Sequence, residues 1–401
     1  MGGFLNGLSF LLICNALLLN QVAAQEEGTS LAGGQITTRT NVQKFADLAQ
    51  DLAEMQKLVG NGARDRVLTL FNEGMHARGD ADRLFSLSQL GDMLAKASVK
   101  TPAFLYHLYG LTDRSTSFAF ELEAQTNYTN KFIVETIEEN LEFAVDAILT
   151  VSVWMYATHL LYDGVYRCQE RADADDPNRF GDMGGGGFDE FIALYIGEGQ
   201  TMGTDSGDSL YRWAQVMGDF FGTNSPESPV NTRILGLYGQ AKNALSQEGA
   251  CSKAVKGTAP ELWRLATQIV SQMSIPLFQG LLYSIVEGNT GGVQVYAKAL
   301  VPQISKCRPS TYKLLKRNLL DEGVNLDATT TREVLDALKD AYSCFGYTCN
   351  SVGTYGDDMT CGFEDENPPL AGYDPLTDVS AVSLRHGLHR PTSCPLARSC
   401  L

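Results

Sequence analysis

The sequence predicts a mainly helical, all-α protein that ends in a Cys/Gly-rich, loop-rich extension. Three observations carry this. Apolar residues recur at spacings of three and four along most of the chain, the period of one helix face. No clear run alternates apolar and polar residues as half-buried strands would. From Gly346 the helical period stops, and Tyr347 to Gly372 is dense in Cys, Gly, Asp and Pro. The expected division is residues 1–24 as a signal peptide, 25–345 as a helical domain and 346–401 as a disulfide-rich extension.

The chain opens with an apolar run, Phe4 to Leu19, followed by Val22-Ala23-Ala24. Small residues there suit a signal peptidase cut before Gln25, although no Lys or Arg precedes the run. A polar lead-in, Gln25 to Thr40, follows. Asn41 to Val59 reads as a helix with Asn41 at its N-cap, stopped by Gly60-Asn61-Gly62. Arg64 to Glu73 and Arg83 to Ala97 read as further helices. Ala103 to Gly110 is a segment rich in aromatics. Lys131 to Arg171 reads as one long helix, apolar nearly all round from Phe143 to Leu161, which predicts a buried central position.

A polar loop, Asp173 to Gly187, leads into the stretch richest in chemistry, Gly184 to Phe221. It reads as two helices joined by an acidic, glycine-rich loop. Val230 to Gln247 is the next helix. Pro260 suits the first turn of another, running to Val286 with Pro276 kinking or breaking it. Gly291 to Lys306, Pro309 to Leu320 and Thr330 to Cys344 complete the helices. Leu370 to Val379 echoes Leu31 to Val42, where a helix follows. After Val379 none does, and the tail 384–401 is basic and unpatterned. The extension therefore also reads as a second repeat that starts and is cut short.

The formal net charge is −16, and the first 24 residues hold no charged side chain. That acidity argues against nucleic acid and anionic lipid as partners and is compatible with cations. No segment after the leader reads as the ~20 apolar residues of a transmembrane helix. Of nine Cys, Cys14 lies in the leader. The remaining eight (Cys168, Cys251, Cys307, Cys344, Cys349, Cys361, Cys394 and Cys400) suggest disulfides in a secreted chain, with connectivity open. Asn127-Tyr128-Thr129 is a glycosylation sequon. The expected location is outside the cell or at its surface.

Asp189, Glu190, Tyr195, Glu198, Asp205, Asp208 and Tyr211 lie close together in sequence. Carboxylates and phenolates are hard oxygen ligands suited to Fe(III), Ca²⁺ or Mg²⁺. Arg212 and a helix N-terminus beside them would hold an anion such as carbonate. A simpler reading uses the same residues: Asp205 or Ser206 caps the second helix, Asp208 complements its dipole, and Tyr195 and Tyr211 pack in the core. The loop lacks the EF-hand pattern. Gly184 to Gly187 lacks the ending of a P-loop. There is no G-x-S-x-G elbow and no H-E-x-x-H, and His159, on the apolar helix, reads as a core histidine. An enzyme needs a base or nucleophile with a partner, and none is identified, so a hydrolase would need a site dispersed in sequence.

FDEFIALYIGEGQ (188–200) followed by DSLYRWAQ (208–215) resembles a pattern of secreted algal and diatom proteins, the iron-assimilation and low-CO2-inducible family that includes the phytotransferrins. IPLFQGLLYSIV (275–286) and AKALVPQISKCRPSTYKLL (297–315) are similar to its later blocks, and LAGYDPLTDVS (370–380) to the lead-in of its next repeat. The resemblance implies a helical protein of iron acquisition that binds Fe(III) with carbonate and meets uptake partners at the cell surface. Carried to this chain, it gives Asp189, Tyr195, Asp205, Asp208 and Tyr211 as metal ligands and Arg212 for the anion. The alternative is a secreted structural or interaction protein without metal.

Overall fold

A computed structural model of the chain describes residues 28–96, 128–173 and 186–355, except 256, 306, 322, 323 and 325. Within them the fold is mainly all-α. The leader, the sequon's Asn127, the 103–110 segment, the echo at 370–379 and the tail 384–401 lie outside the described residues.

The polar lead-in is more ordered than its composition predicts. Ser30–Leu31 (β1) and Ile36–Thr37 (β2) pair antiparallel. Thr29 and Thr38 tie the hairpin's open end through backbone and hydroxyl bonds. Helix α1 (Gln43–Gly60) follows. Its N-cap position is Val42 rather than Asn41, although the Asn41 side chain accepts from the Gln43 amide at 3.2 Å. Helices α2 (Arg64–Glu73) and α3 (Leu87–Lys96) come next.

The predicted long helix 131–171 is divided. Helix α4 (Tyr128–Glu139) ends where Asn140 turns out of helical geometry at φ −134°. Arg64 accompanies that end, donating to the Ile137 carbonyl at 3.0 Å. After a 3₁₀ turn (Leu141–Phe143), α5 (Ala144–Ala147) runs through a π-helical segment (Ile148–Val153) into α6 (Trp154–Asp173). The break at 140 leaves an apolar rod that sits in the core, as its all-round hydrophobicity requires.

Helix α7 (Gly186–Ile196) packs on α6 through glycine: a Cβ at Gly187 would lie 2.3 Å from the Leu160 carbonyl oxygen and 3.0 Å from Gly164 Cα. Helices α8 (Leu210–Phe220) and α9 (Pro229–Leu245) then lead to α10 (Thr258–Val286), which is roughly 43 Å long at helical rise. Pro276 lies inside α10 without ending it. The Trp154 indole donates to the Met273 carbonyl at 3.0 Å, in the turn before that proline.

Helix α10 packs against α6, α8, α9 and α11 (Thr290–Ile304). Helices α12 (Pro309–Leu319) and α13 (Ala328–Ala341) close the fold, α13 capped by Asp327 through the Thr330 amide. The core continues past Phe345. Tyr347, Cys349 and Val352 are buried, and Phe278 meets both Phe345 and Tyr347 edge-on.

Disulfides join Cys168 to Cys251 and Cys307 to Cys344. Cys349, which begins the short helix α14 (Cys349–Val352), is also disulfide-bonded. Segments 141–172 and 258–286 are long and apolar enough to cross a membrane. However, 94% and 72% of their apolar windows are buried inside the protein.

Candidate functional site

The residues singled out by sequence fall into three places. Asp189 sits in the first turn of α7 and is 2% exposed. One carboxylate oxygen accepts from the Arg39 amide (3.0 Å), the Thr40 amide (3.1 Å) and the Thr40 hydroxyl (3.1 Å). The other accepts from the Tyr238 hydroxyl at 2.8 Å. This carboxylate fastens the N-terminal hairpin to α7 and α9. Lys242 adds a bond from α9 to the Thr37 carbonyl. A carboxylate with four donors is held by the protein's own groups.

Asp205 and Asp208 lie on the surface loop between α7 and α8. Asp205 is exposed, and Arg212 reaches its backbone carbonyl at 3.0 Å, not its carboxylate. Burial raises the Asp208 carboxyl above its ordinary value, partly offset by Arg212 and Lys57. The loop ties itself together. Gln200 donates to the carbonyls of Thr201 and Thr204, and the Ser206 hydroxyl accepts from the Thr201 amide. Neither Asp205 nor Ser206 caps α8, as the simpler reading expected. The N-cap position is Ser209, and its hydroxyl donates to the Leu194 carbonyl at the end of α7.

Tyr195 and Tyr211 come together, rings 6.2 Å apart and edge to face. Gly197 ends α7 with φ +74°, and its bare Cα lets the chain pass Ala49 and Ser209 at 2.6 and 2.9 Å from a would-be Cβ. That turn separates Tyr195 from Glu198, which goes to Gln43 on α1 (3.0 Å). The Tyr195 hydroxyl donates to Asn231 Oδ1 at 2.5 Å, and the Asn231 amide donates to the Tyr211 carbonyl at 3.1 Å. The Tyr211 hydroxyl donates to Glu227 Oε1 at 2.7 Å and accepts from the Gly203 amide at 2.8 Å. Burial above all raises both phenols well above their ordinary value, and the Glu227 charge adds to this.

Glu227 lines a cleft of about 880 Å³ between α9 and α10, whose walls also carry Arg233 and Arg264. The cleft itself therefore offers a carboxylate and two guanidiniums, and the buried Tyr211 phenol is joined to it through the bond to Glu227. Glu227, Asn231 and Arg233 stand outside the acidic stretch. The sequence signal for them is the Ser225 to Pro229 turn, which begins α9 with Pro229 in its first turn.

Other titratable groups pack nearby without joining this site. Glu190 is half-buried on α7, within electrostatic reach of Lys44 on α1 and Arg167 on α6. Burial raises it to about 7, against the attraction of Lys44 and Arg167. His159 is buried against Tyr156, and burial lowers its value, as expected of a core histidine. Among the described residues, no three His, Cys, Asp or Glu side chains are grouped as a metal ion would need. Comparison with family models, curated proteins and solved structures found no match to this chain.

Proposed function

We propose that this chain is an extracellular or cell-surface iron-binding protein that takes Fe(III) at Tyr211 and Glu227. One observation carries the reading: a phenol and a carboxylate, both hard donors, meet at 2.7 Å, with Glu227 on the wall of an open cleft and Tyr211 fully buried beside it. Two donors leave ferric coordination positions for a small anion, and the family resemblance suggests carbonate. Arg233 on the same wall would balance its charge. Metal binding displaces the proton that Tyr211 now gives to Glu227. Because burial and Glu227 hold that proton firmly, acid competes with the metal and favours its release. The disulfides are compatible with an oxidising compartment.

A second reading, an interaction protein without metal, is favoured by Asp189 and Tyr195, whose oxygens are already bonded within the fold. Equilibrium dialysis against ferric iron, with and without bicarbonate, separates the two. The iron reading expects saturable uptake of one ion, lost in Tyr211→Phe and Glu227→Gln and kept in Asp205→Asn. Uptake that is absent, or indifferent to Tyr211 and Glu227, overturns it.

A further inference from the structure

We propose that the cleft between α9 and α10 binds an organic polycarboxylate. The choice of ligand rests on the iron reading, because hydroxycarboxylates keep ferric iron in solution. The choice of site rests on the cleft itself.

The protein carries a net charge of −16, yet this cleft is lined by two arginines and a single acid, Glu227. Arg264 is held in place: Glu261 takes its Nη2 at 2.6 Å and Nε at 3.1 Å, and Gln268 takes Nη1 at 3.2 Å. A guanidinium has five N–H donors, so some of those on Arg264 remain directed elsewhere. Arg233, one wall away on α9, is exposed and forms no ion pair among the described residues. Gln240 lies two helical turns beyond it, roughly 10 Å along the axis. Between them Gly236 leaves the wall bare, since a Cβ there would meet nothing within 4 Å.

Fixed and free guanidiniums on opposite walls match carboxylates separated along one ligand. At about 880 Å³ the space exceeds what a lone inorganic anion fills. Past Pro229 it adjoins a second space of about 590 Å³, lined by Asn350 and Thr354.

Iron-free protein should be titrated with citrate by calorimetry, with acetate at equal ionic strength as the charge control. Citrate should bind one to one and acetate should not. Arg233→Ala should weaken citrate at least tenfold. Gly236→Phe fills the cleft from an unobstructed helical position, so it should abolish citrate binding while melting at the wild-type temperature. No heat with citrate, equal heat with acetate, or full binding by Gly236→Phe overturns the assignment. The iron reading is read separately, from ferric uptake without citrate, so either can fail alone.

Discussion

Replacing Asp189 distinguishes a structural clamp from a metal ligand. Its carboxylate receives two backbone amides and two hydroxyls. Alanine would leave all four donors without this acceptor. Arg39 and Thr40 are partly exposed and can turn to water, whereas the Tyr238 hydroxyl is buried. Stranding one buried donor costs about 1–3 kcal/mol, and bonds to a charged acceptor cost more to lose. Asp189→Ala should therefore destabilise the protein by about 3–5 kcal/mol. Tyr238→Phe should cost about 1 kcal/mol. In the double variant the losses should fall short of additive, because both remove the same bond. Urea unfolding followed by circular dichroism measures all three. The folded fraction of Asp189→Ala should still take up ferric iron. A stability within about 0.5 kcal/mol of wild type, the scatter of an ordinary surface change, would refute the clamp. Loss of iron uptake at that unchanged stability would make Asp189 a ligand instead.

Other outcomes follow from the same geometry. Glu190 is raised to about 7 and Asp146 to about 6, each by burial first. Both folds favour the neutral acid, so this stabilisation is complete below the ordinary carboxylate values and is lost as pH rises through 6 to 7. Urea melts should show Glu190 contributing about 2–3 kcal/mol at pH 4 that is gone at pH 8, and Glu190→Gln should flatten that part of the profile. Gly187→Ala should cost more than 2 kcal/mol, roughly, by forcing α7 off the α6 backbone. Gly186→Ala meets nothing and should be neutral or stabilising by up to about 1 kcal/mol in the same urea melts. Removing the Cys168–Cys251 bridge, which spans 83 residues, should cost about 4.5 kcal/mol on the chain-entropy account. Denaturant unfolding of the double Ser variant checks it.

Helix period, proline starts and glycine stops made most of the fold legible, because each is a local property of neighbouring residues; the caps expected at Asn41 and at Asp205 or Ser206 were not found. The division of 131–171 was not. Asn140 carries the break, yet the apolar period runs across it, and the Arg64 contact at Ile137 is long-range. The two-stranded hairpin was missed because its strands hold two residues each and are fixed by Asp189 and Lys242 from far along the chain. The acidic stretch drew attention through density of donors. Density says nothing of direction: α7 points Asp189 at Tyr238 and Tyr195 at Asn231, while Gly197 turns Glu198 away. The partner that completes the pair with Tyr211 is Glu227, in a Ser-Pro-Glu-Ser-Pro turn whose sequence signals only the start of a helix.

The central claim is that Tyr211 becomes a ferric ligand. The direct measurement is the visible absorption spectrum of the protein titrated with Fe(III) in bicarbonate. Iron bound to a phenolate gives a tyrosinate-to-iron charge-transfer band. The account predicts that band in wild type, its loss in Tyr211→Phe and its retention in Tyr195→Phe. No band in wild type, or a band that persists in Tyr211→Phe, would contradict it.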